Sequence, residues 1–280
     1  MAILVRKADG ESEAYNPEKL SQSLLRSGAE PSAAAAIGAE IEKELYNGIT
    51  TQEIYRRAFA KLKEHRHDAA ARYSLKRAVM EFGPSGFPFE AYFAELLRSE
   101  GWACKIDQVV HGACVEHEVD VVATKGKEIL YVEAKFHNAA GFKTDLKTAL
   151  YVKARLDDIA KRRAEEKKTN VMRGLIVTNT KFTSQAHRYA ACAGVELLSW
   201  EEPVGATLHD RIEKAGVFPV TALTTLNRRE KMYLMNQKIT LCRAVPGDTR
   251  ALASAGVSGA RADAVLEEVG ALCVPGGGVE

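Results

Sequence analysis

Residues 117–124 and 128–136 read as two strands, and each carries charge inside an apolar run. In a strand, residues i and i+2 point to the same face. Ile129, Tyr131, Glu133 and Lys135 therefore share one face, and Leu130, Val132, Ala134 and Phe136 the other, which reads as core. In the first run Val119, Val121 and Ala123 alternate with Glu118, Asp120 and Val122. A charge held inside a strand is expensive unless it is paired or holds a metal. The chain must therefore fold into a sheet that has a use for Asp120, Glu133 and Lys135.

The surrounding pattern supplies that sheet. Phe89, Tyr92, Phe93, Leu96 and Leu97 form one apolar helical stripe. A strand over 102–110 follows, then the two charged strands, then a long helix over roughly 142–166. Leu175-Ile176-Val177 reads as a buried strand, followed by a helix near 183–192 and a last strand from Val195 to Ser199. This alternation predicts an α/β layer architecture over residues 87–200. Gly83-Pro84-Ser85-Gly86 reads as a linker before it. Residues 1–82 predict a short strand at Ile3-Leu4-Val5, a turn at Asp9-Gly10, and helices after Asn16-Pro17, over Ser32–Tyr46, Thr51–His65 and Asp68–Glu81. Residues 201–280 predict a helical region with glycine-rich breaks, frayed at Pro275-Gly276-Gly277-Gly278.

With 280 residues, 46% of them hydrophobic and 27% charged, the chain has ordinary globular composition and room for more than one domain. Lys and Arg total 39 against 37 acidic residues, so contact with nucleic acid has to come from local patches. No apolar run approaches the roughly 18 residues of a membrane span. The N-terminal segment has no signal-peptide core, so a cytoplasmic location is expected. The five cysteines, Cys104, Cys114, Cys192, Cys242 and Cys273, are scattered without a Cys-x-x-Cys pair, which argues against zinc or a disulfide framework. They are expected to be mostly buried small residues.

Two carboxylates from adjacent strands, with a backbone carbonyl, make an oxygen-rich site for a hard cation such as Mg²⁺. That ion polarises a phosphodiester oxygen and lowers the pKa of bound water. Lys135 is placed to orient the water and steady charge on the phosphate. Glu90, flanking the first helix's stripe, adds a third carboxylate. A structural ion-pair cluster is the other use these residues allow. His111, His117 and His137 lie nearby; His137 continues the Glu133 and Lys135 face, where it either supports a metal ligand or contacts phosphate, or is an ordinary surface histidine. Lys143, Lys147 and Lys153 suit phosphate contacts, or a solvated helix with pairs such as Asp157 with Lys161.

Residues 87–200 resemble the PD-(D/E)XK nuclease superfamily, specifically its Mrr-type restriction endonuclease domain. Phe89 to Leu97, ending at Gly101-Trp102, resembles the family's opening helix. His117-Glu118-Val119-Asp120-Val121-Val122 resembles its Asp strand, and Tyr131-Val132-Glu133-Ala134-Lys135 its Glu-x-Lys strand. Gly174 to Asn179, Phe182-Thr183, Ala186 and Gly194 to Leu198 resemble its closing half. The resemblance implies Asp120 and Glu133 as Mg²⁺ ligands, Lys135 as the catalytic lysine and Glu90 as an accessory acid. Cys114-Val115-Glu116-His117 stands where many such domains carry Asp-Gly-Gly, which leaves the local loop geometry open.

Residues 1–82 resemble an ATP-cone, through Val5-Arg6-Lys7-Ala8-Asp9-Gly10, Glu13 and Tyr15 to Leu20, then Gly48 to Ile54 and Ala70 to Tyr73. Lys7 and Lys19 supply positive charge, and a helix start near Asn16 offers backbone N–H groups to phosphate. The resemblance implies Val5, Lys7, Glu13, Asn16, Lys19 and Thr51 as the lining of a site for ATP or dATP. Ala8 stands where the family usually has an arginine, which removes a phosphate contact. Ala255 to Leu266 resembles a helix-hairpin-helix, with Ser258 at the second glycine, and equally suits a helical pair serving as core or dimer contact. The expected fold is thus α/β: a helical ATP-cone, a restriction-endonuclease-like α/β core and a small helical C-terminal region. The expected function is Mg²⁺-dependent cleavage of double-stranded DNA, regulated by adenine nucleotide, in a homo-oligomer with no membrane partner. The rivals are a catalytically silent ATP-sensing DNA-binding protein and a nuclease whose cone is purely structural.

Overall fold

The computed structural model describes residues 3–7, 10–83, 86–139 and 141–273. Ala8 and Asp9 of the first turn, Pro84 and Ser85 of the linker, and the Pro275 to Gly278 tail lie outside the described residues. Strand β1 (Leu4–Arg6) runs antiparallel to β2 (Ser12–Ala14) and parallel to the two-residue β3 (Ile49–Thr50). Helix α1 (Pro17–Arg26) starts where the Asn16 side chain accepts from the Glu18 and Lys19 N–H groups at 2.8 and 3.4 Å. Pro17 has no N–H to orphan in that first turn. Helices α2 (Pro31–Lys43) and α3 (Thr51–His65) follow, and Thr50 caps α3 through the Glu53 N–H. The helix expected over Asp68–Glu81 is two: α4 (His67–Tyr73) and α5 (Leu75–Met80). They part at Ser74, whose hydroxyl donates to the Ala71 carbonyl and so competes with the helical ladder. Leu24, Ile37, Ile41, Ala58 and Leu62 are buried beneath these elements.

Helix α6 (Phe87–Ser99) carries the stripe, with Phe89, Tyr92, Phe93, Leu96 and Leu97 all buried. Each such side chain contributes about 1.5–3 kcal/mol on leaving water. The remaining elements are β4 (Ala103–His111), β5 (Glu116–Lys125), β6 (Glu128–Lys135), β7 (Lys143–Thr144), α7 (Leu146–Glu165), β8 (Val171–Thr178), β9 (Lys181–Phe182), α8 (Ser184–Ala193), β10 (Glu196–Leu198) and α9 (Leu208–Ala215). Five strands form one sheet in the order β10-β8-β6-β5-β4. The β4-β5 and β5-β6 pairs are antiparallel, and the β6-β8 and β8-β10 pairs parallel. Strand β6 is therefore central, and α7 and α8 are the crossover helices that parallel neighbours require.

The long helix begins later than the expected residue 142. Lys143-Thr144 pairs with Lys181-Phe182 as a small parallel ladder, and Asp145 then caps α7 through the Thr148 N–H. Asp157 pairs with Lys153 one turn earlier, not with Lys161. Tyr131 also lies in the core, packed with Val152, Leu156 and Ile159 of α7, so β6 is covered on both faces. Gly174 of β8 lies directly beneath Leu156: a Cβ there would sit 2.1 Å from Leu156 Cδ1. Gly174→Ala is expected to destabilise the protein by about 1–3 kcal/mol through overpacking. Urea unfolding checks this, and an unchanged midpoint would show that Leu156 moves aside freely.

The C-terminal region contains α10 (Arg228–Asn236), α11 (Thr249–Ser254) and α12 (Ala260–Leu272). By contact the chain divides into two units, one of residues 1–78 with 218–280 and one of residues 79–217. Within the first, α12 turns Val265, Val269 and Leu272 inward, and Arg72 of α4 donates to the Ala271 and Leu272 carbonyls. Buried Glu268 accepts from the backbone N–H and hydroxyl of both Thr224 and Thr225. The pair α11-α12 thus has one helix serving as core. Of the cysteines only Cys242 is buried. Cys104 and Cys273 are partly exposed, and Cys114 and Cys192, on a loop and on the outer face of α8, are exposed, contrary to expectation. Among the described residues no helix is long and apolar enough to cross a membrane.

Candidate active site

The ladder between β5 and β6 ends at Val121↔Val132. One position further, where Asp120 lies across from Glu133, the strands no longer exchange backbone bonds. The Ala134 N–H donates to Asp120 Oδ2 at 2.7 Å instead. The Asp120 carboxylate thus takes the place of a strand partner and stands at a fork between two strands. Glu133 and Lys135 point to the same face and form an ion pair. On the far side β6 stays paired with β8 through Lys135↔Thr178, which fixes the catalytic-strand candidate along its length.

Glu133 is only 4% exposed and has a second cation on its other oxygen, the guanidinium of Arg155, itself 7% exposed. Arg155 extends from α7, donates to the Tyr151 hydroxyl at 2.7 Å and lies over the Tyr151 ring at 4.6 Å. Sequence reasoning missed it. The signal was present: with Val152, Leu156 and Ile159 it falls on the buried stripe of α7, as improbable a place for a charge as the strand position of Asp120. Asp107 was missed as well. It sits in β4 between the pairs Ile106↔Val121 and Gln108↔Val119, with φ +53°, a conformation Asp tolerates better than most residues.

The carboxylates crowd one another. Burial, then the Glu133 charge, push the Asp120 carboxyl above the usual carboxylate range. Burial, then Asp120, Asp107 and Glu133, push Glu90 up to about 7, against the pull of Lys135. Glu90, Asp120, Glu133 and Lys135 are therefore brought within electrostatic reach of one another. A group held protonated above its unfolded pKa stabilises below that pKa and loses its contribution as pH rises through the folded value. In metal-free protein, Glu90→Gln is therefore expected to gain stability relative to the native chain between pH 4.5 and 7, with no further gain above 7. Denaturation midpoints in EDTA at pH 4.5, 6 and 8 test this, and a constant difference would contradict it.

The donors suit Mg²⁺, which takes oxygen ligands from one or two carboxylates and leaves the rest of its shell to water and phosphate. Asp120 and Glu133 would hold it. The crowding that raises Asp120 and Glu90 is the kind a divalent cation relieves. Among the described residues no group of three or more His, Cys, Asp or Glu is placed to hold a metal ion by itself.

The histidines divide. His117 is bound to Asp158 at 2.8 Å, and Asp158 also accepts from the Cys114 N–H, so the pair locks the β4-β5 turn. His111 pairs with Glu116. His137 lies two residues beyond Lys135. Asn179 donates to its carbonyl at 2.7 Å and accepts from its N–H at 2.8 Å, and its ring meets the Thr144 hydroxyl at 3.1 Å. Burial and then Lys135 depress the His137 pKa. A cavity of about 660 Å³ in the same unit, lined by Leu130, Leu175, Arg173 and Arg211, includes none of the four charged site residues.

In the other unit Val5, Glu13, Asn16, Lys19 and Thr51 line a cavity of about 320 Å³, together with Tyr15, Tyr55 and Tyr73. Lys7 is not in its lining but pairs with Glu13 at 2.9 Å, and Lys19 pairs with the same carboxylate at 3.2 Å. The expectation of free N–H groups at the start of α1 is corrected here. Asn16 already occupies those of Glu18 and Lys19.

A five-stranded mixed sheet whose central strand ends in Glu-Ala-Lys beside a forked Asp is the architecture of a restriction-endonuclease-like domain, and residues 84–204 match the restriction endonuclease family model. Residues 3–79 match the ATP cone domain and residues 218–273 the AF1548-like C-terminal domain. The chain belongs to the AF1548 family. It superposes on the crystal structure of AF1548, a protein of unknown function, with TM-score 0.53 and 32% identity, covering 66% of this chain and 97% of that one. It is also 34% identical over 176 residues to an uncharacterised protein of Archaeoglobus fulgidus, covering 62% of this chain and 96% of that one. The MspJI restriction endonuclease in complex with a 27-mer oligonucleotide gives TM-score 0.34 and 17% identity over 51% of this chain and 31% of that one, a likeness too loose to carry a functional inference.

Proposed function

We propose that this protein is a Mg²⁺-dependent endonuclease that hydrolyses phosphodiesters of double-stranded DNA and is regulated by adenine nucleotide. The observation that carries this reading is the fork between β5 and β6, which presents Asp120, Glu133 and Lys135 on one face beside Glu90. Bound Mg²⁺ would supply charge to the scissile phosphate and lower the pKa of a bound water. The protein's own groups do the rest. The Ala134 N–H fixes one oxygen of Asp120, and Arg155 fixes one oxygen of Glu133. With half of Glu133's charge balance carried by Arg155, the more exposed Lys135 is the cation that can turn toward water or phosphate and donate hydrogen bonds to charge developing there. Glu90, poised near neutrality, stands as the accessory acid.

A plasmid-nicking assay with Mg²⁺, with and without ATP at fixed free Mg²⁺, tests the reading; cutting that survives excess EDTA overturns it. One observation favours the silent alternative, namely that both Glu133 oxygens already meet cations. DNA binding without nicking under any divalent metal would select that alternative.

The cone is proposed to hold ATP or dATP in the cavity beside Asn16. A ligand at a hundred times its Kd adds about 2.7 kcal/mol of stability, so saturating ATP is expected to raise Tm by roughly 5–10 °C. Lys7→Ala combined with Lys19→Ala is expected to remove the shift. No shift at millimolar nucleotide in the native protein would mean that Ala8, and the hold of Glu13 on both lysines, have closed the site to phosphate.

A further inference from the structure

The loop after the Glu-Ala-Lys strand carries an aromatic ring that the fold leaves in water. Phe142 is 61% exposed, which forgoes the stabilisation that burial of a ring brings. One face lies on His137, parallel within 9° at a centroid separation of 5.9 Å. At that exposure much of the ring is left to solvent. The support is rigid, because His137 is held at its backbone by Asn179 and at its ring by Thr144, two residues beyond Lys135. Lys143 and Lys147 follow it in the chain, are exposed and have no ion-pair partner among the described residues.

An open aromatic face next to uncompensated cations suits nucleic acid whose bases are accessible, since every base has a π-face and every linkage a charge. In an intact duplex both faces of each base are covered by neighbours. The ring gains a contact only where a base is unpaired or displaced. We propose that Phe142 is a specificity-determining contact that stacks on an unpaired base beside the scissile phosphate, so that DNA carrying a mismatched or unpaired base is preferred to perfect duplex. This rests on the nuclease reading for the position of the phosphate.

The test uses the full chain in EDTA, where DNA is bound and not cut. Three probes share one sequence: an intact duplex, the same duplex with one unpaired 2-aminopurine, and the 2-aminopurine strand alone. The native protein is expected to bind the unpaired-base duplex roughly tenfold more tightly than the intact one, with quenched 2-aminopurine emission. Phe142→Ala should erase the preference and the quenching while intact-duplex affinity stays within about twofold; Phe142→Trp should retain both. Lys143→Ala with Lys147→Ala should weaken all three probes alike. A preference that survives Phe142→Ala, or a loss by that variant that is equal on all probes, overturns the proposal. Phe142-dependent preference without cleavage in Mg²⁺ would remove the nuclease reading and leave the stacking contact standing. Failure to bind any probe would remove both.

Discussion

Asp120→Asn is expected to reduce DNA cleavage by at least about a thousandfold without loosening the fold. The amide keeps an oxygen for the Ala134 N–H, which Asp120 holds at 2.7 Å, but removes the charge a divalent cation would use. Asp120→Ala should lose the same activity and also leave a buried donor without its acceptor, at a cost of about 1–3 kcal/mol partly offset by relief of crowding with Glu133. Lys135→Ala should match the loss of activity with little change in stability, because Lys135 is partly exposed. Cleavage of supercoiled plasmid, beside denaturant midpoints of each variant, separates the two effects. Undiminished cutting by either Asp120→Asn or Lys135→Ala would remove the site assignment.

The largest stability effect is expected at Glu268, away from this chemistry. Its carboxylate is 3% exposed and accepts bonds of 2.7 and 2.8 Å from Thr224 and of 2.9 and 2.6 Å from Thr225. Thr224 is itself held by His67 at 2.6 Å and by Lys63, both from the cone helices. Glu268→Ala strands two backbone donors and the Thr225 hydroxyl, leaves the Thr224 hydroxyl with His67 alone, and is expected to cost about 3–5 kcal/mol. Glu268→Gln keeps one oxygen acceptor and should cost less. Because the chain has two units, a local readout is needed: amide exchange over residues 218–272 should accelerate in Glu268→Ala. Protection unchanged from native would mean that water replaces the carboxylate without loss.

The elements that sequence analysis located are those whose signal lies within a few residues. Asn16-Pro17 and Thr50 mark their helices because a cap acts on N–H groups two or three positions away. The Phe89 to Leu97 stripe and the two charged strands follow from periodicity alone. The misses are of another kind. Strand β3 is two residues long and exists only because β1 lies beside it. The start of α7 was placed too early because Lys143-Thr144 is extended by pairing with residues far along the chain, although Asp145 was a legible cap. Asp120, Glu133 and Lys135 were legible as charges in apolar strands. The same argument applied to a helix would have reached Arg155. Asp107 was hidden because β4 alternates polar and apolar residues throughout, so one more acid stands out in no way.

The double hydrogen bond between Asn179 and the His137 backbone has a consequence for how such a protein can diversify. It ties the ends of the two central parallel strands together immediately after Lys135, so the orientation of the lysine is set by the sheet and not by the segment that follows. The side chain at position 142 lies beyond that tie, so its identity is not what orients Lys135. On the nuclease and stacking readings proposed above, hydrolysis and substrate discrimination would rest on separate supports, and replacing Phe142 by other side chains would be a direct route to altered DNA preference with Asp120, Glu133 and Lys135 left in place.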